Sequence, residues 1–290
     1  MTRPTHGHKA AVYAYPYLGR ARGLQLDDFP WEIVPHTPLS SEARRCLRYM
    51  RVVERHTIHY LHDLLNTRAS ADDEVVSFLA CWVYEETGHG LALERFLLAV
   101  GEDVPPPADE RSVVSSRLEA FAMALASRVW ADFVAVHMTW GAINELCALS
   151  AYKRLARLSG HPLLAELLSR IARDEARHFA FYFAQAEQRL RRPMAARMAR
   201  WLVERFWAPV GSGVQSAGET RFVAGYLFAD ADGRRTARRG DAIIRRLPGF
   251  ENARLLEAWV DAHTSRGAPS AHARESAQWR VAPPRAERAG

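Results

Sequence analysis

The stretch "RDEARHF", residues 173–179, decides the fold because it puts two polar side chains on an apolar helix face. Glu175 and His178 lie three residues apart, and residues at this offset share one face of an α-helix. Apolar residues continue the same stripe. Its members are Leu164, Leu168, Ile171, Glu175, His178 and Tyr182. The pattern predicts a helix that buries a carboxylate and an imidazole together.

A second stretch, "YEETGHG", residues 84–90, repeats the offset with Glu86 and His89. These two residues also lie on an apolar stripe, which consists of Leu79, Trp82, Glu86, His89, Leu93 and Phe96. A single Glu-x-x-His motif arises often by chance. Two such motifs, both on apolar helix faces, indicate one shared site.

Two other predicted helices each carry an inward glutamate. Glu54 falls in a stripe with Leu47, Met50, Ile58, Leu61 and Leu65. Glu145 follows Met138, Gly141 and Ala142 and precedes Leu149 and Tyr152. For Glu54, an ion pair with Arg48, Arg51 or Arg55 is the alternative interpretation, because exposed pairs at helical spacing are common.

Four converging carboxylates need compensating positive charge, because an isolated buried carboxylate loses its hydration and tends to take up a proton. Two metal ions would supply that charge. Oxygen and imidazole ligands without thiolate suit iron, or manganese at one position, better than structural zinc. The predicted ligands are Glu54, Glu86, His89, Glu145, Glu175 and His178. The alternative is that both motifs are buried structural polar pairs.

Glycine and proline divide the chain into helices with short connections and almost no alternating β-branched pattern. The predicted helices cover residues 41–66, 72–100, 112–158, 162–190, 194–207, 214–229, 233–246 and 250–264. This order is typical of an all-α, up-and-down four-helix bundle with additional C-terminal helices. We expect the apolar interior to bind a substrate, with Met138, Leu149 and Tyr152 as candidate pocket residues.

Composition divides the chain into four predicted parts. Residues 1–40 contain five prolines and form an extended N-terminal arm. The bundle covers 41–192, and accessory helices packed on it cover 193–264. The last part, 265–290, is rich in Ala, Arg, Ser and Pro and is expected to be disordered.

The remaining composition favours an ordinary cytoplasmic protein. No apolar run is long enough to span a membrane, and the first residues lack the apolar core of a secretory signal. Three separated cysteines, Cys46, Cys81 and Cys147, form no CxxC motif and predict neither a disulfide nor a zinc site. The formal charge of +6 comes almost wholly from arginine. It fits an acidic protein partner, and nucleic-acid binding is not expected.

These motifs resemble those of the ferritin-like diiron carboxylate proteins, and most of all the soluble acyl-carrier-protein desaturases. "EETGHG" is similar to the EENRHG-type motif of that family, and "DEARH" is similar to its DExRH motif. The order Glu, ExxH, Glu, ExxH matches throughout residues 45–190. The resemblance implies a ferritin-like bundle whose two iron ions activate dioxygen to oxidise an organic substrate.

The resemblance also implies partners and residue roles. The electrons would come from a ferredoxin or a flavin reductase, the substrate would arrive on an acyl carrier protein, and the protein would form a homodimer. Asp174 would orient a ligand histidine, and Glu145 would be the carboxylate that shifts when oxygen binds.

Departures from the desaturase pattern keep other functions open. Gly88 replaces the usual arginine of the first motif, and Ala148 stands where desaturases often have a threonine. The alternatives are a diiron N-oxygenase or hydroxylase of a small metabolite, and a ferritin-like iron-storage protein. This chain has Ile171 at the position where N-oxygenases such as the p-aminobenzoate enzymes have an additional histidine, which counts against a close match to them. Storage is disfavoured because ferritin-type sites generally use one ExxH histidine, whereas this chain offers two.

Overall fold

A computed structural model describes residues 17, 21–65, 67–104, 132–209, 211–212 and 214–264. Within these ranges every secondary-structure element is a helix, apart from one isolated β-bridge between Ser212 and Gln215. The all-α prediction is therefore confirmed. None of the described helices is both long enough and apolar enough to cross a bilayer. The expected tail at 265–290, most of the arm before residue 21 and the predicted helical segment 112–131 lie outside the described residues.

Eight α-helices follow one another along the described chain. They are α1 Ser41–Leu65, α2 Asp73–Ala99, α3 Phe133–Leu158, α4 Pro162–Leu190, α5 Pro193–Phe206, α6 Ala217–Phe228, α7 Ala231–Ile244 and α8 Leu255–Thr264. Two short 3-10 helices, Trp31–His36 and Arg68–Ala71, precede α1 and α2.

Local capping sets the ends of the long helices. The side chain of Asp72 accepts hydrogen bonds from the first backbone N–H groups of α2 and so satisfies donors that have no partner within the helix. Gly101, at φ 79°, ends that helix in the left-handed conformation that glycine tolerates. The side chain of His161 caps α4, where Pro162 occupies the first turn without losing a hydrogen bond.

Helices α1 to α4 form the bundle around the two motifs. The turn of residues 159–161 makes α3 and α4 antiparallel neighbours, and α1 packs mainly on α2. One apolar cluster, with Phe78 and Met138, lies toward one end of the bundle, and a second, with Leu93 and Leu168, lies toward the other. Consequently the polar residues of the motifs lie between two apolar layers.

The buried face of α1 differs from the predicted stripe. Ile58 and Leu65 are 53% and 42% exposed, whereas Arg51, named above as a possible ion-pair partner of Glu54, is buried and donates to Glu94. The buried face passes through Met50 and the adjacent positions 46, 53 and 57, so residues 58 and 65 fall at its edge. Glu54 itself is buried.

The first anchor of the C-terminal helices is a buried carboxylate. Asp241, at the end of α7, is completely buried and accepts three backbone N–H groups at the start of α8. These donors would otherwise have no partner within α8. Asp241 therefore fixes α8 against α7.

The second anchor is a buried arginine of α3. Arg154 donates to the backbone carbonyl of Leu227, at the end of α6, at 2.8 Å. It also donates to the carboxylate of Asp230, the N-cap of α7, at 2.6 Å. One guanidinium thus ties two accessory helices to the bundle.

Gly141 allows close contact between α3 and α4. A Cβ at this position would lie 2.5 Å from ring atoms of Tyr182, so Gly141→Ala should lower the free energy of unfolding by about 1–3 kcal/mol through overpacking. Gly225→Ala in α6 is the matched control, because no described atom beyond its chain neighbours and its own helix backbone lies within 4 Å of the added Cβ. It should stabilise by roughly 0.5–1 kcal/mol through helix propensity. Guanidinium denaturation of both variants checks this, and equal effects would contradict it.

Candidate metal centre

The structure brings all six predicted ligand residues together. Their oxygen and nitrogen atoms form two groups, and within each group the ligand atoms lie within 4.8 Å of one another. The groups are Glu54, Glu86, His89 and Glu175, and Glu86, Glu145, Glu175 and His178. Glu86 and Glu175 belong to both groups. Every member is buried, so the two groups form one cluster at the centre of α1–α4.

His89 faces three carboxylates of the first group. Its Nδ1 lies 3.2 Å from Oε1 of Glu175, 3.6 Å from Oε2 of Glu86 and 3.9 Å from Oε2 of Glu54. The imidazole is completely buried. Nδ1 of His89 therefore faces a position that three carboxylates surround.

His178 repeats this arrangement in the second group. Its Nδ1 lies 3.0 Å from Oε1 of Glu86, 3.5 Å from Oε2 of Glu175 and 3.6 Å from Oε2 of Glu145. The centroids of the two imidazole rings are 5.9 Å apart. The cluster is thus nearly symmetric about Glu86 and Glu175.

Three atoms of the cluster fit a metal because they lack hydrogen-bond partners. The Nδ1 atoms of His89 and His178 and the Oε1 atom of Glu175 are buried and form no hydrogen bond to any described residue. Buried polar atoms are normally satisfied, so such a group needs an explanation. All three atoms are of types that bind divalent iron or manganese. The donor set therefore fits two metal ions.

Burial and neighbouring charges perturb the pKa values of all four glutamates. Desolvation and repulsion by nearby carboxylates raise the pKa of Glu54 and Glu145 well above the usual value. Although burial opposes ionisation, interaction with Glu54 and with the two imidazoles keeps the pKa of Glu86 below it, and the imidazoles do the same for Glu175. Without a metal, protonation is thus favoured at Glu54 and Glu145 over Glu86 and Glu175, and metal binding would release any protons that these groups hold.

The surrounding carboxylates also shift the pKa of the two imidazoles. Burial opposes the imidazolium form, but the neighbouring carboxylates, which accept from the ring and attract its charge, raise the pKa of His89 and His178 well above the usual value. A metal ion would replace the proton at each Nδ1, because only a deprotonated nitrogen can be a ligand.

Two neutral side chains hold the unshared carboxylates. The hydroxyl of Tyr152 donates to Oε1 of Glu54, and the indole Nε1–H of Trp82 donates to Oε1 of Glu145 at 3.0 Å. In each case the second oxygen is the one near the histidine Nδ1. These bonds fix which oxygen of Glu54 and Glu145 faces the centre.

Each histidine is oriented from behind by an acid on the opposite helix. Nε2 of His89 on α2 lies 3.2 Å from Oδ2 of Asp174 on α4. Nε2 of His178 on α4 lies 2.8 Å from Oε2 of Glu85 on α2. Because a carboxylate accepts, Nε2 is the protonated nitrogen, and Nδ1 is left for a metal. Arg177 joins the two acids through 2.6 Å and 2.8 Å hydrogen bonds to Asp174 and Glu85.

Glu85 is the residue that sequence reasoning missed. A signal was present, because an acid precedes the motif glutamate in both "EETGH" and "DEARH". Glu85 is completely buried and also accepts from the hydroxyl of Tyr17 at 2.8 Å and from the backbone N–H of Arg22 at 3.2 Å. The N-terminal segment is therefore hydrogen-bonded to the layer behind His178.

A cavity of about 440 Å³ reaches the cluster from one side. Its lining includes the carboxylates Glu54, Glu86, Glu145 and Glu175, while neither motif histidine lines it. Most of the remaining wall is apolar or aromatic and comes from α1, α3 and the accessory helices. Cavities of this size and character are typical of small-molecule sites.

The cavity corrects two of the three pocket predictions. Tyr152 lines it, whereas Met138 and Leu149 are not part of the wall. Met138 packs in one apolar cluster and Leu149 in the other. Both lie on the apolar stripe of Glu145, but the cavity opens along the adjacent face, where Trp140, Asn144 and Ala148 lie.

An all-α bundle with inward glutamates on four helices and two Glu-x-x-His motifs defines a ferritin-like carboxylate–histidine protein. Comparison with known families gives the narrower assignment. The family described as "Fatty acid desaturase" matches residues 47–201, more than half of the chain. The chain belongs to this family.

Similarity to individual proteins is more limited. The chain is 31% identical over 105 residues to DesA2 of Mycobacterium tuberculosis, in the CDC 1551 / Oshkosh and H37Rv strains alike. DesA2 carries the provisional name acyl-acyl-carrier-protein desaturase. The match covers 36% of this chain and 36% of DesA2, so the chain spans about a third of the length of the relative it matches. No solved structure matches the chain.

Replacing Glu85 should weaken metal binding although Glu85 is not among the six predicted ligands. Glu85→Gln puts an amide NH2 where a carboxylate oxygen accepts hydrogen bonds, so His178 loses its partner or its orientation. Loss of such a partner typically costs 10–100-fold in metal affinity. Competition with a chelator for Co(II) measures the change.

The matched control is Glu94→Gln on the same helix. Glu94 pairs with Arg51 outside the cluster and should leave the affinity unchanged. Equal affinities of the Glu85→Gln and Glu94→Gln proteins would show that Glu85 has no part in positioning His178.

Proposed function

We propose that this protein is a dioxygen-dependent diiron oxidoreductase that desaturates or oxygenates an acyl chain delivered on a carrier. The observation that carries the proposal is the cavity, because a largely apolar space ends on the four carboxylates of a buried cluster. An organic chain in that space would lie directly against the ions. Membership of the fatty acid desaturase family supports the same reaction class.

The two groups support a division of the proposed ligands between two ions. Glu54 and His89 would hold one iron and Glu145 and His178 the other, while Glu86 and Glu175 belong to both groups and would be available to both ions. Four carboxylates balance the charge of two divalent ions, so the buried centre would be close to neutral when loaded. Manganese could replace iron at one position, because the ligand types suit both metals.

The chemistry that two bound iron ions would contribute is the reduction of dioxygen. In desaturation, a –CH2–CH2– unit, O2, two electrons and two protons give –CH=CH– and two water molecules. In hydroxylation, the same inputs give one hydroxyl group and one water molecule. Both reactions need an external electron donor, and we propose a ferredoxin or a flavin reductase.

The residues of the chain would orient the ligands and exclude water. Tyr152 and Trp82 hold Glu54 and Glu145 by hydrogen bonds, while Asp174 and Glu85 hold the histidines. Aromatic and aliphatic side chains in the cavity would displace water from a bound chain, and a water-poor site strengthens the electrostatic interactions within it. The resemblance to desaturases assigns Glu145 as the carboxylate that shifts when oxygen binds.

An acyl carrier protein is the proposed substrate partner. DesA2 is named for an acyl-carrier-protein substrate, and the formal charge of +6 would favour an acidic carrier. We also propose a homodimer, on the resemblance alone. The alternatives are an N-oxygenase or hydroxylase of a small metabolite, and an iron-storage protein.

Iron stoichiometry tests the ligand assignment. Anaerobic Fe(II) titration of the metal-free protein should saturate at about two ions per chain, one for each group. Glu86→Ala and Glu175→Ala should each abolish both sites, because these residues belong to both groups. Glu54→Ala and Glu145→Ala should each leave about one ion. Iron analysis after gel filtration provides the count.

Glu94→Ala is the control for this series and should retain two ions. Circular dichroism of each variant shows whether the helices persist. Uptake far beyond two ions would favour storage. No bound iron in the wild type would reject the assignment and leave the two motifs as buried structural polar pairs.

Turnover distinguishes the proposed reactions. The iron-loaded protein, a reductase system and dioxygen should convert a long-chain acyl carrier substrate to a product lighter by two hydrogens or heavier by one oxygen. Mass spectrometry identifies which product forms. Glu175→Ala should reduce the rate by at least about a hundredfold, since a metal-supported step is lost. Oxidation of aryl or alkyl amines, with none of acyl carriers, would support the N-oxygenase alternative instead.

A further inference from the structure

The wall of the cavity contains a polar side chain whose hydrogen bonds could not be satisfied by a bound, unsubstituted hydrocarbon. Asn144 of α3 lines the cavity, next to Glu145 in sequence. Around it the wall is formed by Trp140 and Ala148 of α3 and by Trp207 and Trp259 from the C-terminal part of the chain. A polar amide in this aromatic and aliphatic wall can fix the position of a substrate.

Trp207 determines how the amide of Asn144 is turned. The indole Nε1–H of Trp207 donates to Oδ1 of Asn144 at 3.0 Å. An indole N–H can only donate, so the atom that faces it must be the amide oxygen. The NH2 group therefore lies on the other side of the amide and keeps both its donors.

These donors have no partner among the described residues. No hydrogen bond from Nδ2 of Asn144 to a described residue occurs, and this nitrogen is not among the buried polar atoms without a partner. It therefore retains accessible surface, and Asn144 is a half-buried residue of the cavity wall. By contrast, the hydroxyl of Thr236 in the same wall already donates to the carbonyl of Asp232.

We propose that Asn144 is a specificity-determining residue that donates a hydrogen bond to an oxygen atom of the substrate. The substrate would then carry an oxygen acceptor, either the thioester carbonyl or a hydroxyl group along the chain, where it passes α3. Trp207 is a positioning residue that holds the amide in the donating orientation. The inference rests on the proposed function, because it specifies the chain that would occupy the same cavity.

An alkyl chain in contact with this amide would remove its water without replacing the hydrogen bonds. An oxygen acceptor replaces them, and sites with buried polar groups discriminate strongly against analogues that lack the partner. Recognition at Asn144 would also fix which carbon of the chain lies against the four carboxylates. Asn144 would thus influence the position of oxidation as well as the affinity.

Calorimetry on the full chain with three kinds of probe tests the proposal. The probes are a long-chain acyl pantetheine thioester, the alkyl thioether without the carbonyl, and alkyl thioethers that each bear one hydroxyl. An oxygen-bearing probe should bind wild type at least about tenfold tighter than the plain thioether. The probe that binds more tightly than the plain thioether, whether the thioester or a hydroxylated thioether, identifies which substrate group supplies the oxygen acceptor.

Asn144→Leu should reduce this advantage to less than about twofold, because the side chain keeps a similar size but has no donor. Trp207→Phe should reduce it in part, because the amide is free to turn, while the plain thioether binds with nearly unchanged affinity. Asn144→Ser provides a smaller substitution if the leucine variant does not fold. Equal binding of all probes to wild type, or a preference that survives in Asn144→Leu, would overturn the proposal.

Iron content separates this inference from the proposed function. Both variants should still bind about two ions per chain, since neither residue belongs to the two ligand groups. Loss of the probe preference with normal iron content supports a role in recognition. A wild-type protein that binds no iron but retains the preference would contradict the diiron function and leave the role of Asn144 intact.

Discussion

The burial of four carboxylates at one point is the constraint on which the rest of the structure depends. Removing a single carboxylate from water is costly, and mutual repulsion adds to the cost when several acids converge. The bundle places Glu54, Glu86, Glu145 and Glu175 together, with the imidazoles of His89 and His178 in the same cluster. Apolar clusters lie on both sides of this centre along the bundle. A fold that accepts such an arrangement requires positive charge at its centre, as protons or as metal ions.

The layer behind the histidines follows from the same constraint. Each imidazole must present one nitrogen to the centre, so its other nitrogen needs an acceptor, and Asp174 and Glu85 provide one each from the opposite helix. These two acids in turn need compensation, which Arg177 gives to both. The second motif has Arg177 immediately before its histidine, whereas the first motif has Gly88 at the equivalent position. A single guanidinium therefore serves both halves of the centre.

The residues of the cluster could be predicted from sequence because their signal lies within single helices. An offset of three residues and an apolar stripe are enough to place Glu175 beside His178 on an inward face. Contacts between helices are not encoded in this way. The partnership of Glu85 with His178 depends on how α2 packs on α4, although the acid doublet was visible. The cavity wall was missed for the same reason, since Met138 and Leu149 share the stripe of Glu145 but face the packed core.

The cluster and part of the cavity wall come from different regions of the chain. All six residues of the cluster and both acids behind the histidines fall within residues 47–201, the range that matches the fatty acid desaturase family. Asn144 and the other wall residues of α1 and α3 also fall in this range, whereas the wall residues from Trp207 to Val260 lie beyond it. Asp241 and Arg154 fix the accessory helices that carry most of this wall. Family membership therefore indicates the class of reaction, whereas the shape of the cavity also depends on residues that the family match does not cover.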